Sequence, residues 1–415
     1  MAFEKDRQFK KFCAYGFLKN LRFFEPFMVL FLLGADLSYL QVGLLYSLRM
    51  ILQNVLEIPA GIVSDALGRR RTMSTSFVFY MLSFVVFYLS GKMPGFVVAM
   101  AIFALGEAFR TGTHKAMIFE YLKMKGWESE KVTYYGYTRS WSQRGSALSA
   151  LLAAGLVILT QNYRMIFLFS IIPYLLDLIL ISSYPKALDG KTMNIRFSNI
   201  GTNFKEVLSD FWYSFKNPLM LKTIANSSIY SGYYKALKDF LQPVIKSLAL
   251  ALPILTFQPN ETRSAVLVGV IYYIIYRLSS LAARHSGKFS LRFRSLQMAL
   301  TLSIFIGAGA GLLSGLFYRF HIPAIAILFF IAVYLVENLR KPIGMGCTAD
   351  LLEKDILATA LSAASQLETL FGAVFTALLG FLADKFGLAN GLMAVSLLLM
   401  VLTPIFFIRK SRTKA

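Results

Sequence analysis

The residues of this chain best placed to do chemistry are ionisable side chains embedded in apolar sequence. Glu107, Arg110, Thr111 and His114 recur at three- and four-residue spacing with Lys115 beside them. A continuous helix through this stretch would carry the first four on one face. That face has two uses. Glu107 and Arg110 can form a local ion pair, or Arg110 can bind an anion while Glu107 or His114 exchanges a proton, histidine being the side chain that titrates nearest neutrality. A second group is Lys19, Arg22, Glu25 and Pro26, in which the proline loosens the backbone beside a candidate proton carrier. Lys235, Lys238 and Asp239 form a third, where a salt bridge is the simpler reading, and Glu337 with Arg340 a fourth. The candidate solute ligands are therefore Arg22, Arg49, Arg110, His114, Lys115, Arg139, Lys235, Lys238, Glu337 and Arg340, and the candidate proton carriers Glu25, Glu107 and Asp239.

Other chemistries find no motif. The chain has no His-Glu-x-x-His, no Gly-x-Ser-x-Gly, no paired aspartates and no Gly-x-x-x-x-Gly-Lys-[Ser/Thr] loop. No catalytic residue, metal site or cofactor is expected, and the reading is of a protein that is not an enzyme. Cys13 and Cys347 are too few and too far apart for a disulfide framework or a metal cluster.

The elements that position these charges are set by hydropathy. Hydrophobic residues make up 56% of the chain and charged ones 16%, against about 25% charged in soluble domains. Apolar runs of about 20 residues recur throughout, each able to cross a hydrocarbon core of roughly 30 Å as a helix. The ten-residue alternating segments of a membrane barrel are missing. Spans are expected at 12–34, 39–62, 73–91, 95–122, 136–160, 164–184, 219–247, 263–284, 295–317, 322–343, 357–382 and 388–409. An ionised side chain at the centre of such a span costs about 2.5–3.5 kcal/mol on insertion scales, so the embedded charges require a polar interior.

The 43 Lys and Arg are distributed unequally. The loops on one side carry only Lys92, Arg164, Lys246, Arg263, Arg319 and Lys385, and the excess on the other side places both termini in the cytoplasm. The net charge of +21 thus reports orientation in the membrane rather than binding of nucleic acid. Residues 1–11 are charged and lack a cleavable signal pattern. The sequon Asn260-Glu-Thr262 falls in a loop on the outer side and is given no role.

The chain divides into 1–184, a cytoplasmic linker 185–218 and 219–415. In the linker Phe204, Val207, Leu208, Phe211, Trp212 and Phe215 recur at helical spacing, which reads as an amphipathic helix on the inner leaflet or packed beneath the bundle. The two halves repeat. Lys19-Asn-Leu-Arg22-Phe-Phe24-Glu25-Pro26 aligns with Lys235-Ala-Leu-Lys238-Asp-Phe240-Leu-Gln242-Pro243 with one residue inserted, and Glu107-Ala-Phe-Arg110 aligns with Glu337-Asn-Leu-Arg340. Glu120 and Asp350 follow the two glutamates by thirteen residues each. Tyr230, Tyr233 and Tyr234 read either as stacking surfaces for an organic solute or, more simply, as packing between helices.

Between the second and third spans lies Gly61-Ile-Val-Ser-Asp65-Ala-Leu-Gly68-Arg69-Arg70-Arg71-Thr-Met. Gly61 is expected to let two helices approach closely and Gly68 to supply the backbone freedom of a tight turn. This stretch resembles the signature loop of the major facilitator superfamily, and Gly380-Phe-Leu-Ala-Asp384-Lys-Phe-Gly387 is similar to a motif often found where the family's eleventh helix ends. The helix 5 signature of many drug/proton antiporters is missing from 140–159. The resemblance implies an all-α membrane protein of twelve transmembrane helices in two pseudo-symmetric six-helix bundles. It also implies secondary active transport by alternating access, with Gly61, Asp65, Gly68, Arg69 and Arg70 gating. The function expected is proton-coupled movement of a small organic, anionic solute across the cytoplasmic membrane by a monomer among membrane lipids; a lipid or amphiphile flippase or efflux pump of the same fold is the alternative.

Overall fold

The computed structural model describes residues 3–189, 218–253, 256–293, 295–351 and 354–406; the side chains of residues 65, 129, 131, 132, 218–220, 349–351 and 354–362 also fall outside the description. The linker helix expected within 185–218 and the side chains of Asp65 and Asp350 therefore lie outside the described residues. The rest is helix and turn, with no strand among the described residues.

The first span breaks in two. Helix α1 (Arg7–Lys19) is capped at its start by Asp6, which accepts from the Phe9 amide at 2.9 Å, and ends at Asn20, whose side chain donates to the Gly16 carbonyl at 2.7 Å. A single 3₁₀ turn (Glu25–Phe27) with Pro26 near its start leads into α2 (Met28–Gly34). Proline fits there because the first residues of a helix need no backbone donor. The seventh span breaks at the aligned place, with α9 (Pro218–Leu237), a 3₁₀ turn (Lys238–Phe240) and α10 (Leu241–Ala251). The continuous spans expected at 12–34 and 219–247 are corrected accordingly. The repeated Lys-x-x-[Arg/Lys] sequence marks the break in both.

The fourth span is also interrupted. α5 (Met93–Arg110) stops at Thr111, and Gly112, at φ +79°, redirects the chain into α6 (Thr113–Met124). The remaining helices are α3 (Tyr39–Leu67), α4 (Arg69–Leu89), α7 (Lys131–Thr160), α8 (Met165–Ser182), α11 (Asn260–Arg284), the short α12 (Ser286–Ser290), α13 (Leu296–Arg319), α14 (Pro323–Leu351), α15 (Lys354–Phe386) and α16 (Leu388–Leu402). Nine membrane-crossing segments among the described residues are long and apolar enough to span. The expected spans outside that set are the first, the seventh and α3, which carries Arg49, Glu57 and Asp65.

The chain forms two compact units. The first comprises Met1–Phe31, Leu52–Phe204 and Ile254–Tyr276; the second comprises Leu32–Ile51, Lys205–Pro253 and Arg277–Ala415. In the first, α4 packs on α5 and α8, and α1 on α7 and α8. In the second, α13 packs on α14 and α16, and α9 on α15 and α16. These four pairs of the first unit correspond one to one with the four of the second, so the duplication read in the letters is present in the packing.

Glycine makes several of these approaches possible. A side chain at Gly16 would collide with the Ser142 hydroxyl on α7, and one at Gly232 with Phe371 and the Gly372 amide on α15. In the second unit Tyr230 and Tyr233, both fully buried, lie against Gly307 and Gly311 of α13, which is the packing role rather than a stacking surface for solute.

Candidate functional site

The charges of the first unit converge. Glu107, buried near the end of α5, accepts from Arg110 Nη2 at 2.6 Å through one carboxylate oxygen and from Arg22 Nη2 at 3.0 Å through the other. Arg22 also lies 3.9 Å from Glu25, and Arg110 Nε donates to the Tyr80 hydroxyl at 3.0 Å. Two guanidinium groups so share one carboxylate, with Glu25 at the edge. Buried charge is tolerated when it is paired and hydrogen-bonded in this way. The break at Thr111 and Gly112 corrects the expected single face: Glu107 and Arg110 belong to α5, whereas His114 and Lys115 belong to α6.

Arg110, His114 and Lys115 nonetheless meet around one cavity. It has a volume of about 330 Å³ and is lined on the α1 side by Phe12, Tyr15, Lys19 and Asn20. Arg110, His114, Lys115 and Ile118 line it from α5 and α6, and Tyr135, Thr138, Arg139, Ser142 and Gln143 from α7. The His114 ring stacks on Tyr15 with centroids 3.6 Å apart, and its Nε2 lies 3.3 Å from the Tyr184 hydroxyl. Lys115 Nζ sits 5.4 Å from the ring centre of Phe119 and 5.7 Å from that of Tyr135. Lys115 and Arg139 are exposed, whereas Lys19 is 7% exposed. The lining holds two lysines, two arginines and no carboxylate.

Lys19, Tyr15, Asn20 and Thr138 are site residues that the sequence reading did not assign. Lys19 was visible as a charge within a span; the other three carry no signal until α1 and α7 are brought together. Asp177 of α8 is a further titratable group, fully buried, with neither carboxyl oxygen hydrogen-bonded among the described residues. The charges of Lys19 and Arg110 reach it.

The loop after α3 is held within the first unit. Gly68 adopts φ +93°, and a side chain there would meet the Asp189 carboxylate at 3.1 Å. Asp189 accepts from the Arg70 amide at 2.7 Å and so caps α4, while Arg70 Nη1 donates to the Tyr184 carbonyl at 2.7 Å. Arg69 lies 3.5 Å from Glu120 and donates to the Ala116 carbonyl at 3.5 Å. The close approach expected at Gly61 is not found among the described residues of its unit. It is exposed, with nothing within 4 Å of where a Cβ would sit, so this glycine lies on an open helix face.

The second unit uses its aligned charges differently. Lys235 Nζ pairs with Glu368 at 3.0 Å and donates to Thr369 Oγ1 at 3.2 Å, and Lys341 lies 3.7 Å from Glu368. Lys238 pairs with Asp239 at 3.5 Å. Glu337 accepts from Ser231 at 2.8 Å, and its other oxygen has no hydrogen-bond partner among the described residues. Arg340 donates to Ser303 Oγ at 2.6 Å, to the Asn226 carbonyl at 3.0 Å and to the Leu300 carbonyl, and lies over the Tyr230 ring. Glu107–Arg110 is thus an ion pair, whereas Glu337 and Arg340 serve separate partners. Arg49, on the part of α3 that belongs to this unit, lies over the Tyr46 ring at 4.7 Å.

Comparison with known proteins places this geometry. A crystal structure of the nucleoside transporter NupG superposes with a TM-score of 0.72 at 14% identity, covering 96% of each chain. A POT family transporter in complex with 5-aminolevulinic acid superposes at 0.70 and 13% identity, covering 96% of this chain and 94% of that one. An uncharacterized MFS-type transporter, YxaM, from Bacillus subtilis (strain 168) is 28% identical over 104 residues, 25% of this chain. That match spans about a quarter of the relative's length. The Major Facilitator Superfamily profile matches residues 12–373, nearly the whole of the repeated architecture, and the chain belongs to that superfamily.

Proposed function

We propose that the chain is a secondary active transporter that moves a small organic anion across the cytoplasmic membrane by alternating access, coupled to protons. The observation that carries the reading is the cavity of the first unit, walled by Lys19, Arg110, Lys115 and Arg139 without an acid in its lining. A concave polar site with surplus positive charge favours a solute that brings negative charge, because each unpaired buried cation otherwise bears its full desolvation cost. The fold it shares with a nucleoside transporter and with a POT family transporter in complex with 5-aminolevulinic acid is in keeping with a soluble solute.

Coupling falls to the acids that accompany the cations. Glu25 is half-exposed at the edge of the arginine pair, Glu107 sits between two guanidinium groups, and Asp239 is paired with Lys238. Arg69, Arg70 and Gly68 belong to the gate on this reading, because Arg70 and Gly68 meet the segment that leaves α8 and Arg69 ties the same helix start to α6. Both termini lie in the cytoplasm.

The test is reconstitution in liposomes. Organic anions should raise the thermal transition of the purified protein while matched organic cations and neutral analogues leave it unchanged, and uptake of an active anion should rise with an imposed pH gradient. Stabilisation by cations alone would overturn the anion reading. Scrambling of labelled phospholipid without any response to soluble anions would replace it with lipid movement.

A further inference from the structure

The four cations of the cavity are not equivalent. Arg110 is committed to Glu107 and Tyr80, and Lys115 and Arg139 stand exposed at the rim. Lys19 is buried in the wall, and among the described residues its ammonium makes no hydrogen bond and has no carboxylate within ion-pair distance. Asp177, Glu107 and Glu25 exchange long-range field with the cations here without touching Lys19.

The other repeat shows the satisfied form. Lys235, aligned with Lys19, holds Glu368 at 3.0 Å. The glycine three residues before each lysine fixes the register of the facing helix. A Cβ at Gly16 would lie 3.0 Å from the Thr138 carbonyl and 3.6 Å from the Ser142 amide, and one at Gly232 would lie 3.0 Å from the Glu368 carbonyl and 2.8 Å from the Gly372 amide. The pairs are four residues apart on both helices, so Thr138 occupies on α7 the place that Glu368 occupies on α15. Where the second unit supplies a carboxylate to its lysine, the first supplies a threonine that lines the cavity.

We propose that Lys19 anchors the transported solute and that the missing carboxylate is the solute's own. This rests on the cavity being the solute site. One unmatched ammonium in the buried part of the wall selects a single carboxylate. The surrounding Asn20, Thr138, Ser142 and Gln143 favour a polar body over an apolar one, so the solute class is a polar organic monocarboxylate.

The register supplies its own test. Thermal stability of the detergent-purified full chain is titrated with sodium gluconate and sodium lactate, with sorbitol and choline chloride as neutral and cationic controls at matched ionic strength. Wild-type protein should be stabilised by one or both carboxylates. Lys19→Gln should weaken that response by at least about tenfold, the loss of one charge-assisted contact, and Lys19→Arg should keep most of it. Thr138→Glu should stabilise the ligand-free protein by completing the pair seen at Lys235, and should abolish the response; it carries the test should Lys19→Gln fail to fold. A carboxylate response that survives both Lys19→Gln and Thr138→Glu overturns the anchor while leaving an anion cavity. A wild-type protein that ignores both carboxylates and responds to choline overturns the cavity reading as well, and one that responds to nothing overturns the monocarboxylate class.

Discussion

Glu107 is the residue on which the charge balance of the first unit turns, because Arg22 and Arg110 both depend on it. Removing one partner of a buried charge group leaves the others uncompensated, at a cost of about 3–5 kcal/mol. Glu107→Gln keeps the volume and some hydrogen bonding but leaves two guanidinium groups sharing a neutral amide. We expect a markedly lower thermal transition in detergent, with part of the loss recovered in Glu107→Gln/Arg110→Gln, where one of the stranded charges is also gone. A single variant as stable as wild type would show that water, not Glu107, compensates the arginines. Much at this scale was legible in the letters: ions are conspicuous in apolar sequence, and the Glu107–Arg110 pair follows from three-residue spacing. What was hidden is which ion lacks a partner among the described residues. Lys19 and Lys235 look alike on paper; their difference lies in Thr138 and Glu368, more than a hundred residues along the chain from the lysines they face.

Elements are held here by a few atoms at their ends, and those contacts were the least visible in sequence. Gly68 was readable as a turn, since its conformation is one that only glycine adopts freely. That it is also pressed by Asp189 was not, because Asp189 is 119 residues from the amide it caps. Gly68→Ala therefore meets two penalties, a positive φ and the carboxylate at 3.1 Å. We expect a loss of about 1–3 kcal/mol, seen as a lower melting temperature and faster amide exchange in the first turn of α4. Unchanged exchange there would mean that the turn relaxes without strain. A matching contact in the second unit tests whether caps matter generally: Asp384 accepts from the amides of Tyr39 and Leu40, both at 2.8 Å, and so holds the start of α3. Asp384→Ala should cost about 1–2 kcal/mol and speed exchange at those two amides, and an unaltered rate would assign their protection to burial instead. Span boundaries were read well where hydropathy alone sets them. They were misread at Asn20, Thr111 and Lys238, where a side-chain cap, a positive-φ glycine or a 3₁₀ turn stops a helix inside continuous apolar sequence.

At the scale of the whole molecule, the sequence halves and the compact units differ. Residues Leu32–Ile51 lie before the linker and belong to the second unit, while Ile254–Tyr276 lie after it and belong to the first. Both exchanges bury close helix contacts. In the second unit the Ser47 hydroxyl lies 2.7 Å from the Ala373 carbonyl, and Gly380 faces the backbone of Tyr39 and Leu40. In the first, Gly269 faces Ala150 and Ala154. A fragment ending in the linker would then expose the α7 surface that Gly269 covers, and a fragment beginning there would expose the α15 surface around Thr376 and Gly380. Small residues at such surfaces allow close packing that lipid chains cannot reproduce, so each fragment alone should be unstable. Expressed together from a chain cut within 190–217, the fragments should co-purify and keep the anion-induced thermal shift of the intact protein. Each expressed alone should be degraded or aggregate. Two fragments that fold and melt independently, with no gain on co-expression, would show that the exchanged segments contribute little and that each half of the sequence is sufficient for its own bundle.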